Sequence, residues 1–340
     1  MPEPEPTEPS IEEAESLTQE AFAALEAGHY DLVLELTAQL RALQFSSVFE
    51  IEALLYLDQN QPMRALQILD EGTQAVPDLW LLWQLKGNVL SDLKRFDDAL
   101  ESYDRALPLE GADIGSLRLN RATAMWRDGR VKAALREVEA NDDNTDEANV
   151  HLRWRLEAVR LGLWGELGRC DEVEARAAAL FEEQQDLEVE SDEAGEISVA
   201  FSQIGWALMG CEKTEMAGDW AQSALEVDRS NGQALLLARD TTPDLPVADK
   251  TFQVMLEGRW QDNETGEKPL GFFTTLYLVA ADAEAAQLQA LLFESPRWEH
   301  PLKVEECEPI GDCELQPCCI YAVEGYNFYP LGVEDDEDDQ

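Results

Sequence analysis

Small and large apolar residues recur along the first two-thirds of the chain with the spacing of paired helices. In the segment 80–113, the small residues Gly87 and Ala99 stand at the eighth and twentieth positions. Large residues stand on either side of them: Trp83, Leu90, Phe96 and Tyr103. Two packed helices approach closely only where the side chains at their crossing are small. The segment is therefore predicted to form a helical hairpin.

The same arrangement repeats about every 34 residues, which is typical of stacked helical hairpins. Segment 46–79 carries Ala53 and Ala65 at the two small positions, and further copies begin near residues 14, 115, 154 and 198. Each hairpin buries its apolar face only against its neighbours, so several are needed for a stable stack. We predict five or six hairpins over residues 14–238.

This combination of period and residue code resembles the tetratricopeptide repeat (TPR) family over roughly 135 residues. The resemblance implies a mainly α fold, a TPR-like right-handed α-solenoid. It also implies that the first helix of each hairpin lines a concave groove, and that this groove binds a peptide or a protein.

Beyond the repeats the pattern changes. Prolines and turn formers at 239–250 predict a linker. Residues 251–330 then alternate like strands around one Ala- and Leu-rich helical stretch, Asp282–Phe293. The order strand, strand, helix, strand, strand predicts a small α+β domain, an antiparallel sheet with one helix. The acidic ends, 1–13 and 331–340, are predicted to be disordered.

Charge narrows the classes of partner. The chain has 71 acidic and 25 basic residues, a formal net charge of −46. Such a chain is repelled by nucleic acid and by anionic membranes, so neither is expected as a partner. A basic protein partner or a salt-adapted host would each account for the acidity, and a solvated surface alone would do so too.

The start of the chain and its longest apolar runs predict the compartment of the protein and the redox state of its cysteines. The first residues lack the basic start and apolar stretch of a signal peptide, and no run is long enough to span a membrane. We therefore expect a cytoplasmic protein whose six cysteines are reduced.

Catalytic chemistry has little support in the sequence. The three histidines belong to no recognisable catalytic motif, and no Gly-rich phosphate loop follows a strand. We predict no enzyme activity and no cofactor. Three cysteines, Cys307, Cys313 and Cys318, are weak candidates for a metal site, because their spacing departs from the usual zinc pairs. Small apolar packing residues are the simpler interpretation.

The charge distribution points to one part of the array. Residues 111–176 hold eleven basic and thirteen acidic side chains, so this Arg-rich stretch is nearly neutral within an acidic molecule. The TPR resemblance implies that some groove positions grip a peptide's terminal carboxylate, and Asn88 and Asn120 match two of them. Gln84 and Val159 replace cations there, so the match is partial. We predict a looser polar groove that binds an extended peptide, formed by Asn88, Asn120, Thr123, Arg127 and Arg155. Alternatively, the arginines pair with the acidic loop Asp142–Glu147 and with neighbouring carboxylates.

Three functions remain open. The first is a non-enzymatic protein–protein interaction scaffold or adaptor that uses the concave groove. The second is an acidic inhibitor or immunity-type protein that neutralises a basic partner, such as a nuclease. The third is a metal-binding or catalytic module in the C-terminal domain.

Overall fold

The computed structural model describes residues 8–141, 149–187, 189–191, 193–260, 270–298 and 300–330. Thirteen helices come first, followed by an antiparallel sheet with one further helix. The thirteen are α1 Glu8–Glu26, α2 Tyr30–Ala42, α3 Ser47–Asp58, α4 Pro62–Ala75, α5 Trp80–Asp92, α6 Phe96–Ala106, α7 Ile114–Arg127, α8 Val131–Glu139, α9 Val150–Glu166, α10 Cys170–Glu183, α11 Ala194–Gly210, α12 Thr214–Val227 and α13 Gly232–Thr241.

Two compact units divide the chain, Met1–Leu156 and Glu157–Gln340. The predicted linker 239–250 falls inside the second unit, in which α13 contacts the sheet. The helix α13 ends at Thr241 and the first strand begins at Val247, so most of the predicted linker belongs to regular elements. Residues 8–13, predicted to be disordered, form the start of α1, where glutamates favour a helix N-terminus. Residues 1–7 and the predicted tail 331–340 lie outside the described residues.

Six turns of one kind join the helices of the hairpins. Each has a residue with positive φ two positions before the second helix: Gly28, Asn60, Lys94, Gly129, Gly168 and Glu212. The N–H of that residue donates to the carbonyl three positions back, at 2.8–3.0 Å, and the next N–H donates five positions back, at 2.7–3.0 Å. These two bonds define the Schellman motif, which satisfies the carbonyls left open at a helix end. The same turn therefore occurs in all six hairpins, including those whose sequence matches the repeat pattern least well.

The predicted small positions lie at helix crossings. Ala53, Ala65 and Ala99 are fully buried. A Cβ atom on Gly87 would lie 2.4 Å from the Tyr103 ring, and one on Gly205 would lie 2.3 Å from Leu237. Real Cβ atoms do not approach other atoms so closely, so only glycine permits these crossings.

A disulfide joins Cys170, the first residue of α10, to Cys211, the residue that follows α11, with 5.3 Å between their Cα atoms. The expectation of six reduced cysteines is therefore wrong for this pair. That expectation rested on the apparent lack of a signal peptide, whereas the packing of α10 against α11 sets the geometry. The other four cysteines are free thiols.

Five strands and a helix form the C-terminal part. They are β1 Val247–Trp260, β2 Leu270–Ala280, α14 Ala283–Glu294, β3 Lys303–Pro317, β4 Ile320–Val323 and β5 Asn327–Pro330. All pairings are antiparallel, in the order β3-β1-β2-β4, and β5 pairs with β2 beyond the end of β4. The predicted antiparallel sheet with one helix is confirmed, but three strands follow the helix where the sequence predicted two. Alternate residues of β1, namely Phe252, Val254 and Leu256, are buried, and α14 packs on β1, β2 and β3.

A buried arginine ties the last hairpin to the sheet. Arg229 lies between α12 and α13, and its guanidinium forms an ion pair with Glu294 of α14, with side chains 10% and 0% exposed. The same guanidinium donates to Thr274 Oγ1 at 2.7 Å and to the Glu324 carbonyl at 2.5 Å, and it lies 3.7 Å from the Tyr326 ring centroid. Tyr326 also donates to Glu294 at 2.9 Å. Every partner of Arg229 thus lies beyond the helical repeats.

Replacement of Lys94 by glycine tests the turn geometry. Lys94 is exposed and has a φ of 61°, which costs a residue with a Cβ about 1 kcal/mol. We expect K94G to raise the free energy of unfolding by about 0.5–1 kcal/mol in urea titrations of the full chain. The matched change G129A should lower it by a similar amount, and the idea fails if both substitutions shift the midpoint the same way.

Arg229→Met tests the buried pair. It leaves the Glu294 carboxylate buried without its cation, so we expect a loss of about 3–5 kcal/mol of unfolding free energy for the second unit. The double variant R229M/E294Q should lose less, because no uncompensated charge remains. Lys303→Met is the control, since its exposed pair with Glu305 should contribute under about 1 kcal/mol. Equal losses for R229M and K303M in urea unfolding would contradict this account.

Candidate partner-binding site

The predicted groove residues lie mainly on α5 and α7, the first helices of two successive hairpins, which contact each other. Asn120, Thr123 and Arg127 follow one another on α7 at spacings of three and four residues, so they share one face of the helix. Asn88 lies on α5. All four are at least partly exposed. The structure thus brings these four residues onto neighbouring helices of the first compact unit.

Asn88 has a structural partner that the sequence did not indicate. Its Oδ1 accepts a hydrogen bond of 2.8 Å from the hydroxyl of Tyr103, which lies on α6 and is almost fully buried. Burial, and to a lesser degree the Asp92 carboxylate, raise the pKa of Tyr103, whereas Arg127 lowers it. The hydroxyl therefore stays protonated and donates to Asn88. The amide group of Asn88 can still donate to a ligand.

Arg127 forms a link between the ends of α7 and α5. Its Nη1 lies 2.8 Å from Asp92 Oδ1 and 3.1 Å from Ser91 Oγ. Its guanidinium also lies 5.9 Å from the Phe96 ring centroid. Asp92 follows Asn88 by one helical turn on α5, so the Arg127–Asp92 pair and Asn88 share one side of that helix. Asp92 is therefore a member of the cluster that the sequence analysis missed, although its spacing from Asn88 could have indicated it.

The other predicted residues contribute less. The Thr123 hydroxyl donates to the Leu119 carbonyl at 2.9 Å, so its remaining capacity is as an acceptor. Arg155 lies half-buried on α9. It belongs to the same compact unit as the other four residues.

Many arginines of the Arg-rich stretch pair with carboxylates inside the chain. Arg121 lies 2.6 Å from Glu137 and 3.0 Å from Asp104. In the second unit, the buried Glu157 accepts from Arg160 at 3.1 Å and from Arg176 at 2.9 Å, and Glu157 raises the pKa of Arg176. Pairing with neighbouring carboxylates thus accounts for much of the arginine content. The predicted loop partners, Asp142–Glu147, lie outside the described residues.

A cavity of about 530 Å³ lies elsewhere in the same unit, between α4, α5 and α6. It contains Trp83, whose ring centroid lies 5.1 Å from Lys86 and 5.0 Å from Arg105. Both cations are already paired, Lys86 with Asp70 and Arg105 with Glu101, each at 2.7 Å. None of the five predicted groove residues lines this cavity.

The structure does not gather the three cysteine candidates into one cluster. Cys313 packs with Cys318 and Val279, whereas the thiol of Cys307 faces the Ala283 carbonyl at 3.7 Å. Burial raises the pKa of the Cys307 and Cys318 thiols, which favours the protonated form that metals bind poorly. Among the described residues, no three His, Cys, Asp or Glu side chains come together in a way that could hold a metal ion.

Comparison with solved structures establishes the fold. A tetratricopeptide repeat protein from Parabacteroides merdae ATCC 43184 is similar at 16% identity and a TM-score of 0.51, over 67% of this chain and 84% of that one. pilF of Pseudomonas aeruginosa is similar at 9% identity and 0.48, over 68% and 98%. YrrB, a TPR protein with an unusual peptide-binding site, is similar at 20% identity and 0.34, over 56% and 89%. The first of these similarities, together with the observed helical hairpins, shows that the helical part of the chain has a TPR-like fold.

No protein-family model and no curated protein sequence matches the chain. Within the described ranges, no helix combines the length and the apolar character that crossing a membrane requires.

Asn88→Ala tests whether the groove asparagine supports the fold. It leaves the Tyr103 hydroxyl buried without an acceptor, so we expect a loss of about 1–3 kcal/mol of unfolding free energy. The double variant N88A/Y103F removes both polar partners and should recover much of that loss. Urea unfolding of the full chain measures both changes. The single variant Y103F completes the comparison. A loss in the double variant that equals the sum of the N88A and Y103F losses would rule out the bond.

Proposed function

We propose that this protein is a non-enzymatic interaction scaffold that binds an extended peptide or a protein segment along α5 and α7. The observation that supports the proposal most is the polar cluster of Asn88, Asn120 and Arg127 on two adjacent first helices of a TPR-like array. A buried face of such helices would be apolar, whereas these positions hold exposed hydrogen-bonding groups.

The pairing of Arg127 does not prevent it from binding a ligand. The Arg127 and Asp92 side chains are 41% and 71% exposed, and exposed ion pairs contribute only about 0–1 kcal/mol. A carboxylate of the partner can therefore displace Asp92 and form the two-pronged contact that guanidinium groups favour. The Asn88 and Asn120 amides would hold the partner's backbone. The partner class that fits this cluster is an extended segment with a carboxylate.

Charge reversal at the cluster tests this function. Proteins captured from the native host by the full chain would be purified, and the dissociation constant of the most abundant stoichiometric partner measured by calorimetry. We expect R127E/R155E to weaken binding by about tenfold or more, because it reverses the charge of Arg127, which is proposed to bind the partner's carboxylate, and of a second predicted groove cation.

The matched control is R64E/R105E, which changes the net charge equally on the second helices α4 and α6, where both arginines are exposed. It should change the dissociation constant by less than about twofold. Equal weakening by both double variants, or none by R127E/R155E, would refute the groove assignment. Capture of chaperones alone would refute the scaffold.

A second candidate is the acidic inhibitor of a basic partner, which the net charge of −46 favours. This function predicts that the partner binds R127E/R155E as well as it binds the original chain. It also predicts a steep loss of affinity with salt, because many screened charges then carry the binding. The scaffold function predicts a shallow salt dependence.

A cytoplasmic location remains a prediction. The Cys170–Cys211 disulfide counts against it, since disulfides persist mainly in oxidising compartments.

A further inference from the structure

The outer face of the C-terminal sheet is a second surface, distinct from the helical groove. Alternate residues of β1 point away from α14: Gln253, Met255 and Glu257 are half-exposed, whereas their neighbours on the strand are buried. Their register partners on β2 are Tyr277, Thr275 and Phe273, and on β3 Glu308 and Glu306 lie opposite Gln253 and Met255. Paired residues of antiparallel strands share a face, so these side chains lie on one face, where Thr275 is buried and the others are at least partly exposed.

Tyrosines and carboxylates alternate across this surface. Tyr277 lies beside Tyr321 of β4, with ring centroids 6.5 Å apart, and Tyr321 is 38% exposed. The Tyr329 hydroxyl donates to Glu257, and the Tyr277 hydroxyl donates to Glu324 Oε1 at 2.6 Å. These bonds hold both carboxylates among the rings. The face therefore offers aromatic rings and negative charge together.

Two carboxylates of the surface are available for a ligand. Within the described part of the chain, neither the Glu306 nor the Glu308 carboxylate takes part in a side-chain hydrogen bond or an ion pair. Lys303, a cation on the same strand, instead pairs with Glu305 and lies 3.9 Å from Glu257. Because Glu306 and Glu308 are two residues apart on one strand, they repeat at the spacing of alternate side chains in an extended peptide, about 7 Å.

The sequence of β3 disfavours two other occupants. A second copy of the chain would bring this acidic face against an identical one, and like charges repel. Addition of a strand to the edge of β3 is hindered by Pro309, which lacks an N–H, and by three shifts in the β1–β3 register. A partner segment would therefore bind on the outer face of the sheet and not at its edge.

We propose that the outer face of the C-terminal sheet binds an arginine-rich extended segment of a partner protein, with its guanidinium groups between Tyr277, Tyr321 and the carboxylates of Glu306 and Glu308. Arginine fits better than lysine, because its planar group stacks on an aromatic ring while its N–H groups fork onto a carboxylate. This surface acts independently of the helical groove.

Fluorescence anisotropy with a labelled peptide of alternating arginine and serine tests the proposal on the full chain. We expect E306Q/E308Q to weaken binding by about fivefold, because two ion pairs are lost. The control E12Q/E15Q makes the same charge change on the exposed start of α1 and should have less than about a twofold effect. Tyr321→Leu should weaken binding of the arginine peptide by about threefold and that of the lysine analogue less.

Several results would overturn the proposal. They are equal weakening by the two double variants, equal affinity for the arginine and lysine peptides, and displacement of the peptide by spermine at equal charge concentration. Each of these results would show that the peptide binds only through non-specific attraction to a polyanion. R127E/R155E should leave the affinity for the arginine peptide unchanged. The proposal for the sheet face and the proposed function of the helical groove can therefore be refuted independently of each other. Thermal unfolding of each variant verifies that the sheet is intact.

Discussion

Among the described residues, the hydrogen bonds, ion pair and ring contact of the Arg229 guanidinium reach beyond the helical repeats, to Glu294 on α14, Thr274 on β2, the Glu324 carbonyl and the ring of Tyr326. A buried cation is costly to desolvate, and it is tolerated only when carboxylate, hydroxyl, carbonyl and ring partners together replace its water. The last hairpin and the sheet therefore cannot separate without exposing or abandoning this charge. This constraint makes the second unit one body, although its two parts have different secondary structure.

The helical part depends instead on two local features that recur in each hairpin, a turn and small residues at the helix crossing. Six Schellman turns end the first helices, and glycine or alanine at the crossings lets the second helices return closely. Because each feature involves residues close in sequence, a hairpin can vary its exposed side chains freely. The polar cluster of Asn88, Asn120 and Arg127, proposed as the binding site, uses that freedom. The sheet supplies a different surface, in which tyrosines hold carboxylates in place.

Sequence alone predicted the features that local spacing determines. The hairpins followed from the positions of Gly87 and Ala99, and the antiparallel sheet with one helix followed from the alternation of residues and one helical stretch. Features made by distant residues were missed. Arg229 donates hydrogen bonds to Glu294 and Glu324, which lie 65 and 95 residues later in the sequence. Cys170 forms a disulfide with Cys211, which lies 41 residues later. At the candidate site, the helical positions were predictable, but the bonds from Tyr103 and to Asp92 required the hairpins to be packed.

Native-state hydrogen exchange on the full chain tests most directly whether α11–α13 and the sheet form one cooperative body. The account predicts that the slowest amides of α11 and α12 and those of β1 and β2 exchange with the same opening free energy, because Arg229 joins both parts. It also predicts that R229M lowers both values together. Sheet amides that open at a lower free energy than the helical ones, with R229M affecting only the sheet, would contradict the central claim.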